Sequence, residues 1–176
     1  MSHSTAHPVE VPVTDLRIEA IDAQAFAPYG TVMPACEDGK MFGPDEAQLE
    51  LARGTPRFYV MRLHRREPGF NVITRHLQVT QCLAAVGGGS WFIAVAPPDD
   101  PDNAAATPDL ARLRAFRVPG DVAIMLKRST WHAGPFFEPA SMDFFNLELA
   151  DTNQVDHHSC RLDLSCGRAY RFVAAA

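Results

Sequence analysis

The stretch "RSTWHAGPFF" (128–137) sets a Trp131–His132 pair between a basic, hydroxyl-bearing turn and a Gly-Pro break. Histidine titrates near neutrality without large perturbation, so His132 is a candidate acid, base or metal ligand. A second histidine, His76, stands five residues before Gln81 in "TRHLQVTQCLAAV" (74–86). In "MDFFNLELA" (142–150), strand alternation puts Phe144, Asn146 and Glu148 on one face and Phe145, Leu147 and Leu149 on the other. A face carrying an amide and a carboxylate beside an aromatic ring reads either as a solvent face or as the polar lining of a ligand cavity. The adjacent His157 and His158 would point oppositely on a strand, which favours a loop or a dimer contact over a metal site.

The elements that must position these residues are mostly strands. Segments 57–65, 70–86, 90–96, 113–118, 121–126 and 142–150 are rich in aromatic and branched residues and bounded by Gly, Pro or Asp. "VGGGSW" and "VPGDV" read as hairpin turns, which only antiparallel neighbours can use. A short helix is expected at 23–26, capped by Asp22 and stopped before Pro28, and another over 44–54, with a proline first turn and a terminal glycine. "PPDDPDNAAATPD" (97–109) is a proline-rich surface loop, and residues 1–12 form a loose N-terminal arm. The reading is mainly β: one domain over 1–176, an antiparallel barrel or jelly roll with a few short helices. On a single regular strand His76 and Gln81 face opposite sides, unless a bulge intervenes.

Composition narrows the function classes. The 176-residue chain carries 16 Lys+Arg against 21 Asp+Glu, a net charge of −5, with no basic run. That argues against a nucleic-acid binder, which needs a basic surface to displace counterions. No stretch reaches the length needed to cross a bilayer, and the N-terminus lacks the apolar core of a signal peptide, so a cytoplasmic location is expected. Cys36, Cys82, Cys160 and Cys166 form no C-x-x-C pair and are expected to be free thiols.

"GDVAIMLKRSTWHAGPF" (120–136) resembles the second motif of the cupin superfamily, and "TRHLQVTQCLAAVGGG" a variant of the first. Four segments together resemble the ureidoglycolate lyase family: "AFAPYGTV" (25–32), "TRHLQVTQCLAAV" (74–86), "PDLARLRAF" (108–116) and 120–136. Departures from that family's pattern include Thr74 in place of Glu and Ala133 in place of a second histidine.

The resemblance implies a cupin-type barrel, a homodimer, and cleavage of ureidoglycolate, a carboxylate-bearing hemiaminal, into glyoxylate and urea. A base takes the hydroxyl proton while an acid protonates the departing urea nitrogen. On this reading His132 and His76 are the acid/base candidates, with Trp131 walling the site and Glu148 a reserve base. Gln81 and Asn146 hydrogen-bond the urea amide, and Arg75 or Lys127 clamps the carboxylate. Thr80 belongs to the family's Ser/Thr-Gln pair and joins the substrate-binding set. If a divalent metal (Ni, Mn, Fe or Zn) is present, His76, Gln81 and His132 are its candidate ligands. Two other readings stay open: a metal-dependent cupin dioxygenase or isomerase acting on a small polar acid, and a cupin that binds a small carboxylate without turnover.

Overall fold

The computed structural model describes residues 11–174; most of the expected N-terminal arm lies outside that range. The chain opens with β1 (Val13–Ala20), a one-turn helix α1 (Ala23–Phe26) and β2 (Gly30–Met33). The middle of the chain supplies β3 (Pro56–His64), β4 (Gly69–Phe70), β5 (Val72–Arg75), β6 (Gln81–Ala85) and β7 (Gly88–Ala96). Then come β8 (Arg114–Gly120), β9 (Ala123–Leu126), β10 (Trp131–Phe136) and β11 (Ser141–Leu149). The closing part alternates α2 (Thr152–Val155), β12 (His158–Arg161), α3 (Leu162–Ser165) and β13 (Ala169–Val173). The short helix α1 forms as its sequence demands: Asp22 is its N-cap, and its Oδ1 accepts from the Ala25 amide at 2.8 Å.

Two sheets result. The larger runs β12-β5-β10-β7-β8-β1-β13-β4 and the smaller β2-β9-β6-β11-β3. Pairing is antiparallel except where β1 lies parallel to β13 and β8. The larger sheet curls until Phe70 and Phe172, near one edge, meet Phe136 on β10, with Phe136–Phe172 ring centroids 4.8 Å apart. Strand alternation then splits the apolar residues into two cores. Trp91, Ile93, Val95, Phe116 and Val118 point to the smaller sheet's Leu83, Ile124, Leu126 and Phe144. Ala94, Ala96, Ala115, Trp131 and Ala133 point the other way, into the curl of the larger sheet. This is a mainly β fold of curled sheets, consistent with the expected cupin-type barrel.

Three local expectations are corrected. The single strand read over 70–86 is broken: β5 belongs to the larger sheet and β6 to the smaller, and residues 76–80 carry the chain across. "VGGGSW" and "VPGDV" are likewise sheet-switching corners rather than hairpins, since β6 does not pair with β7, nor β8 with β9. Positive φ angles at Gly87 (87°) and Gly88 (78°) make the first corner, a conformation that disfavours a side chain. Finally, 44–54 contains no helix. Its backbone is recruited by the 76–80 crossing, where the Glu50 amide donates to Thr80 Oγ1 at 3.0 Å and the Thr80 amide to the Glu50 carbonyl at 3.3 Å. Tertiary hydrogen bonds override local helix propensity there.

The two corners touch. Gly88 pairs with Gly120, and a Cβ on Gly120 would lie 2.0 Å from the Gly88 carbonyl. Backbone cannot yield as a side-chain tip can. We expect Gly120→Ala to cost about 2–3 kcal/mol of stability, with Gly39→Ala, where nothing lies within 4 Å of the added carbon, close to neutral. Urea unfolding of both variants checks this; equal midpoints would refute the close-packing argument.

Candidate functional site

The crossing at 76–80 brings the chemistry together. With His76 just past β5 and Gln81 opening β6, the opposite-face objection disappears, because the two residues no longer share a strand. Both line a cavity of about 360 Å³ at the mouth between the sheets, together with His132, Met61, Leu63 and Leu83. His64, Arg66, Gly134, Pro135, Asn153 and His157 complete its wall. His132 reaches it from β10, where it pairs with Thr74 on one side and Val95 on the other and shares their face. The His76 and His132 ring centroids are 5.1 Å apart, and His157 lies 5.7 Å from His76.

Hydrogen bonding sets the tautomers. His76 Nδ1 is 2.7 Å from the Asp156 carbonyl, and His132 Nδ1 is 3.1 Å from the Thr130 carbonyl. A carbonyl only accepts, so each Nδ1 carries the proton and each Nε2 of a neutral ring keeps its lone pair. Burial pushes His132 down to about 3, helped by the charge His76 would carry. Burial also lowers His76, opposed by the hydrogen bond to Asp156 and by the carboxylates of Asp156 and Glu148. Both imidazoles are therefore neutral near pH 7, and His76 stands in the environment more tolerant of a proton.

Beneath the histidines lies a buried polar layer. Glu148 accepts from Tyr59 Oη (3.0 Å), Gln81 Nε2 (2.9 Å) and Asn153 Nδ2 (3.3 Å). Gln81 Nε2 also donates to Asn146 Oδ1 at 3.2 Å, and Asn146 Nδ2 donates to Tyr59 Oη at 3.1 Å. Because a carboxylate cannot donate, the Gln81 amide must turn its nitrogen to Glu148. Its Oε1 is left buried without a partner, an acceptor waiting for a donor. The Asn146–Glu148 face is thus interior, and Glu148 has its oxygens occupied by three donors.

Other candidates fall elsewhere. Trp131 and Arg75 point to the opposite face of the larger sheet from His132, as neighbours of inward residues must. The buried Arg75 guanidinium sits 4.5 Å over the Trp131 ring and donates through Nη2 to the Asn103 carbonyl of the proline-rich loop at 2.6 Å. Neither residue walls the histidine cavity. Lys127 and Thr80 line a separate hollow of about 580 Å³. Lys127 Nζ donates to the Ala27 carbonyl at 2.6 Å, and Thr80 Oγ1 accepts from the Glu50 amide.

Sequence reasoning missed Tyr59, Asp156 and Arg66, and it read His157, which lines the cavity, as a loop or dimer contact. Tyr59 was legible in principle, because pairing β3 with β11 fixes it opposite Asn146. For Asp156 no local signal exists; a turn after α2 swings it against the 76–78 backbone and brings the His157 ring to 5.7 Å from His76. The Leu77 and Gln78 amides donate to the Asp156 carboxylate at 2.7 and 2.8 Å.

A metal at this site would find two imidazole nitrogens and the neutral Gln81 amide oxygen. Among the described residues no three His, Cys, Asp or Glu side chains converge to hold an ion. This donor set fits a divalent metal poorly, and no step below is routed through one.

The acid limb of stability reports the half-buried His132. His132 binds its proton near pH 6.5 when unfolded and near 3 when folded. Between those values the unfolded state holds the extra proton, so stability is full above about 6.5 and is lost as pH falls. His132→Asn should remove up to about 1.4 kcal/mol per pH unit from that slope. Urea unfolding between pH 4 and 7 reads it, and an unchanged slope would contradict the assigned burial.

The family model for ureidoglycolate lyase matches residues 13–165 of the chain. No curated protein matches it.

Proposed function

The chain belongs to the ureidoglycolate lyase family, and from that premise we propose that the His76–His132 cavity is where the carbon–nitrogen bond of ureidoglycolate is cleaved. One observation carries the reading: two imidazoles whose Nε2 atoms keep their lone pairs and an amide whose oxygen has no partner line the same cavity. The hydroxyl of the hemiaminal needs an acceptor for its proton, and the urea half offers N–H donors to Gln81 Oε1.

In the reaction His76 Nε2 takes the hydroxyl proton, the carbon–oxygen double bond forms, and the carbon–nitrogen pair leaves with urea. The imidazolium so made returns the proton to the urea nitrogen, so the step consumes no water and no net proton. Asp156 and Glu148 favour that transient charge on His76. His132, held neutral by burial, accepts a hydrogen bond from the substrate and fixes its orientation. The sequence offered both His132 and His76 as acid/base; the carboxylates near His76 favour that ring. Glu148, its oxygens already engaged, supports Gln81 instead of serving as a base.

No helix among the described residues is long and apolar enough to cross a membrane. Of the finer reading, the homodimer draws support from the exposed apolar row on the small sheet's edge. There Phe58 and Phe145 stack with centroids 5.6 Å apart, beside an exposed Val60.

The test is glyoxylate release from racemic ureidoglycolate. His76→Ala should lower kcat by about 10²–10⁴-fold, and His132→Ala by less. Gln81→Leu should act mainly on KM. Stripping metals, then restoring nickel or manganese, should leave the rate unchanged. Since burial holds the His76 pKa below its ordinary 6.5, the acid limb of kcat/KM should lie at lower pH than 6.5, and a midpoint at or above 6.5 would contradict His76 as the base. No release above background by the wild type would sink this substrate.

A further inference from the structure

We propose that Arg66 is the residue that binds the substrate carboxylate. The inference rests on the lyase reading above and supplies what that site lacks. An anion entering the cavity meets His76 and His132 held neutral, and Arg75 and Lys127, the cations favoured from sequence, lie elsewhere. Of the residues lining the cavity, Arg66 is the one with a permanent positive charge.

Its surroundings leave that charge available. Six arginines of this acid-rich chain (Arg62, Arg112, Arg114, Arg128, Arg161 and Arg171) are each within ion-pair distance of a carboxylate. Among the described residues Arg66 has no such partner. Its guanidinium carbon instead sits 4.2 Å from the centroid of the Phe136 ring. Stacking occupies the face of the guanidinium and leaves its edge N–H groups free, the geometry that takes a carboxylate through two parallel hydrogen bonds. Phe136 closes the strand that carries His132 but packs on the other side, in the curl of the larger sheet, so Arg66 stands in the wall between the histidine cavity and a neighbouring hollow of about 950 Å³ that it also lines. Arg66 itself follows β3 on an exposed loop, where substitution leaves both cores intact.

The experiment compares wild type with Arg66→Gln and Arg66→Lys on ureidoglycolate and on N-(hydroxymethyl)urea, the same hemiaminal without its carboxylate. Calorimetric titration with glyoxylate runs alongside. Arg66→Gln should lose about 30–300-fold in kcat/KM on ureidoglycolate, chiefly through KM, corresponding to about 2–3.4 kcal/mol. It should leave N-(hydroxymethyl)urea unaffected and weaken glyoxylate binding in parallel, with Arg66→Lys recovering part of both. A variant within twofold of wild type on ureidoglycolate overturns the assignment while the lyase reading survives. If the wild type does not cleave ureidoglycolate, the lyase reading fails on its own, and the glyoxylate titration decides: binding lost in Arg66→Gln supports the anion site. Binding unchanged, or no binding by the wild type, overturns it.

Discussion

The site depends on one buried residue that carries none of the chemistry. Asp156 receives the Leu77 and Gln78 amides on its carboxylate and the His76 ring on its carbonyl. The Ser129 amide bonds the His76 carbonyl at 2.7 Å from the other side. Those bonds hold the 76–80 crossing in the one shape that aims His76 and Gln81 into the same space. Buried backbone N–H groups without partners would cost more than the bonds return, so the crossing has few alternatives once Asp156 is in place. The same carbonyl fixes which nitrogen of His76 is free. A single turn after α2 therefore sets the position, the tautomer and part of the basicity of the imidazole.

The polar layer under the cavity extends that logic across the smaller sheet. Tyr59, Gln81, Asn146, Glu148 and Asn153 come from three strands and a helix, and their bonds are mutually consistent only with one orientation of each amide. Satisfied polar networks in a low-dielectric interior are rigid, and a half-satisfied one is costly. This network is satisfied except at Gln81 Oε1. The exception belongs to a residue that lines the cavity, where a ligand can supply the missing donor.

How much of this was legible beforehand follows from what local pattern encodes. Alternation placed Phe144, Asn146 and Glu148 on a common face, and that face is interior because β11, between β6 and β3, turns it toward the larger sheet. The Trp131–His132 stretch offered His132, which lines the cavity, but alternation also required Trp131 to point away from it, and resemblance alone had put both in the site. What stayed hidden was non-local. A strand-like run over 70–86 gives no sign that the chain leaves one sheet at His76 and joins the other at Gln81. Gly-rich corners look alike whether they reverse a hairpin or change sheets. The 44–54 segment has sound helix signals, defeated by two hydrogen bonds to Thr80 that no local window contains.

Cations were the hardest to place, and the reason is physical. An arginine's sequence neighbours do not say whether its charge is spent. Arg75 sits directly beside His76, yet its guanidinium is sealed against Trp131 beneath the proline-rich loop, on the far side of the sheet. Arg66 follows an unremarkable charged turn and ends at the cavity wall. The resulting complement has a definite sense. Neutral imidazoles avoid repelling one another 5.1 Å apart, an orphan acceptor seeks N–H donors, and one fixed cation seeks one anion. A hemiaminal with a carboxylate at one end, a urea at the other and a proton to give between them meets all three demands. A dianion would leave a charge uncompensated, and a neutral amide would leave the cation idle.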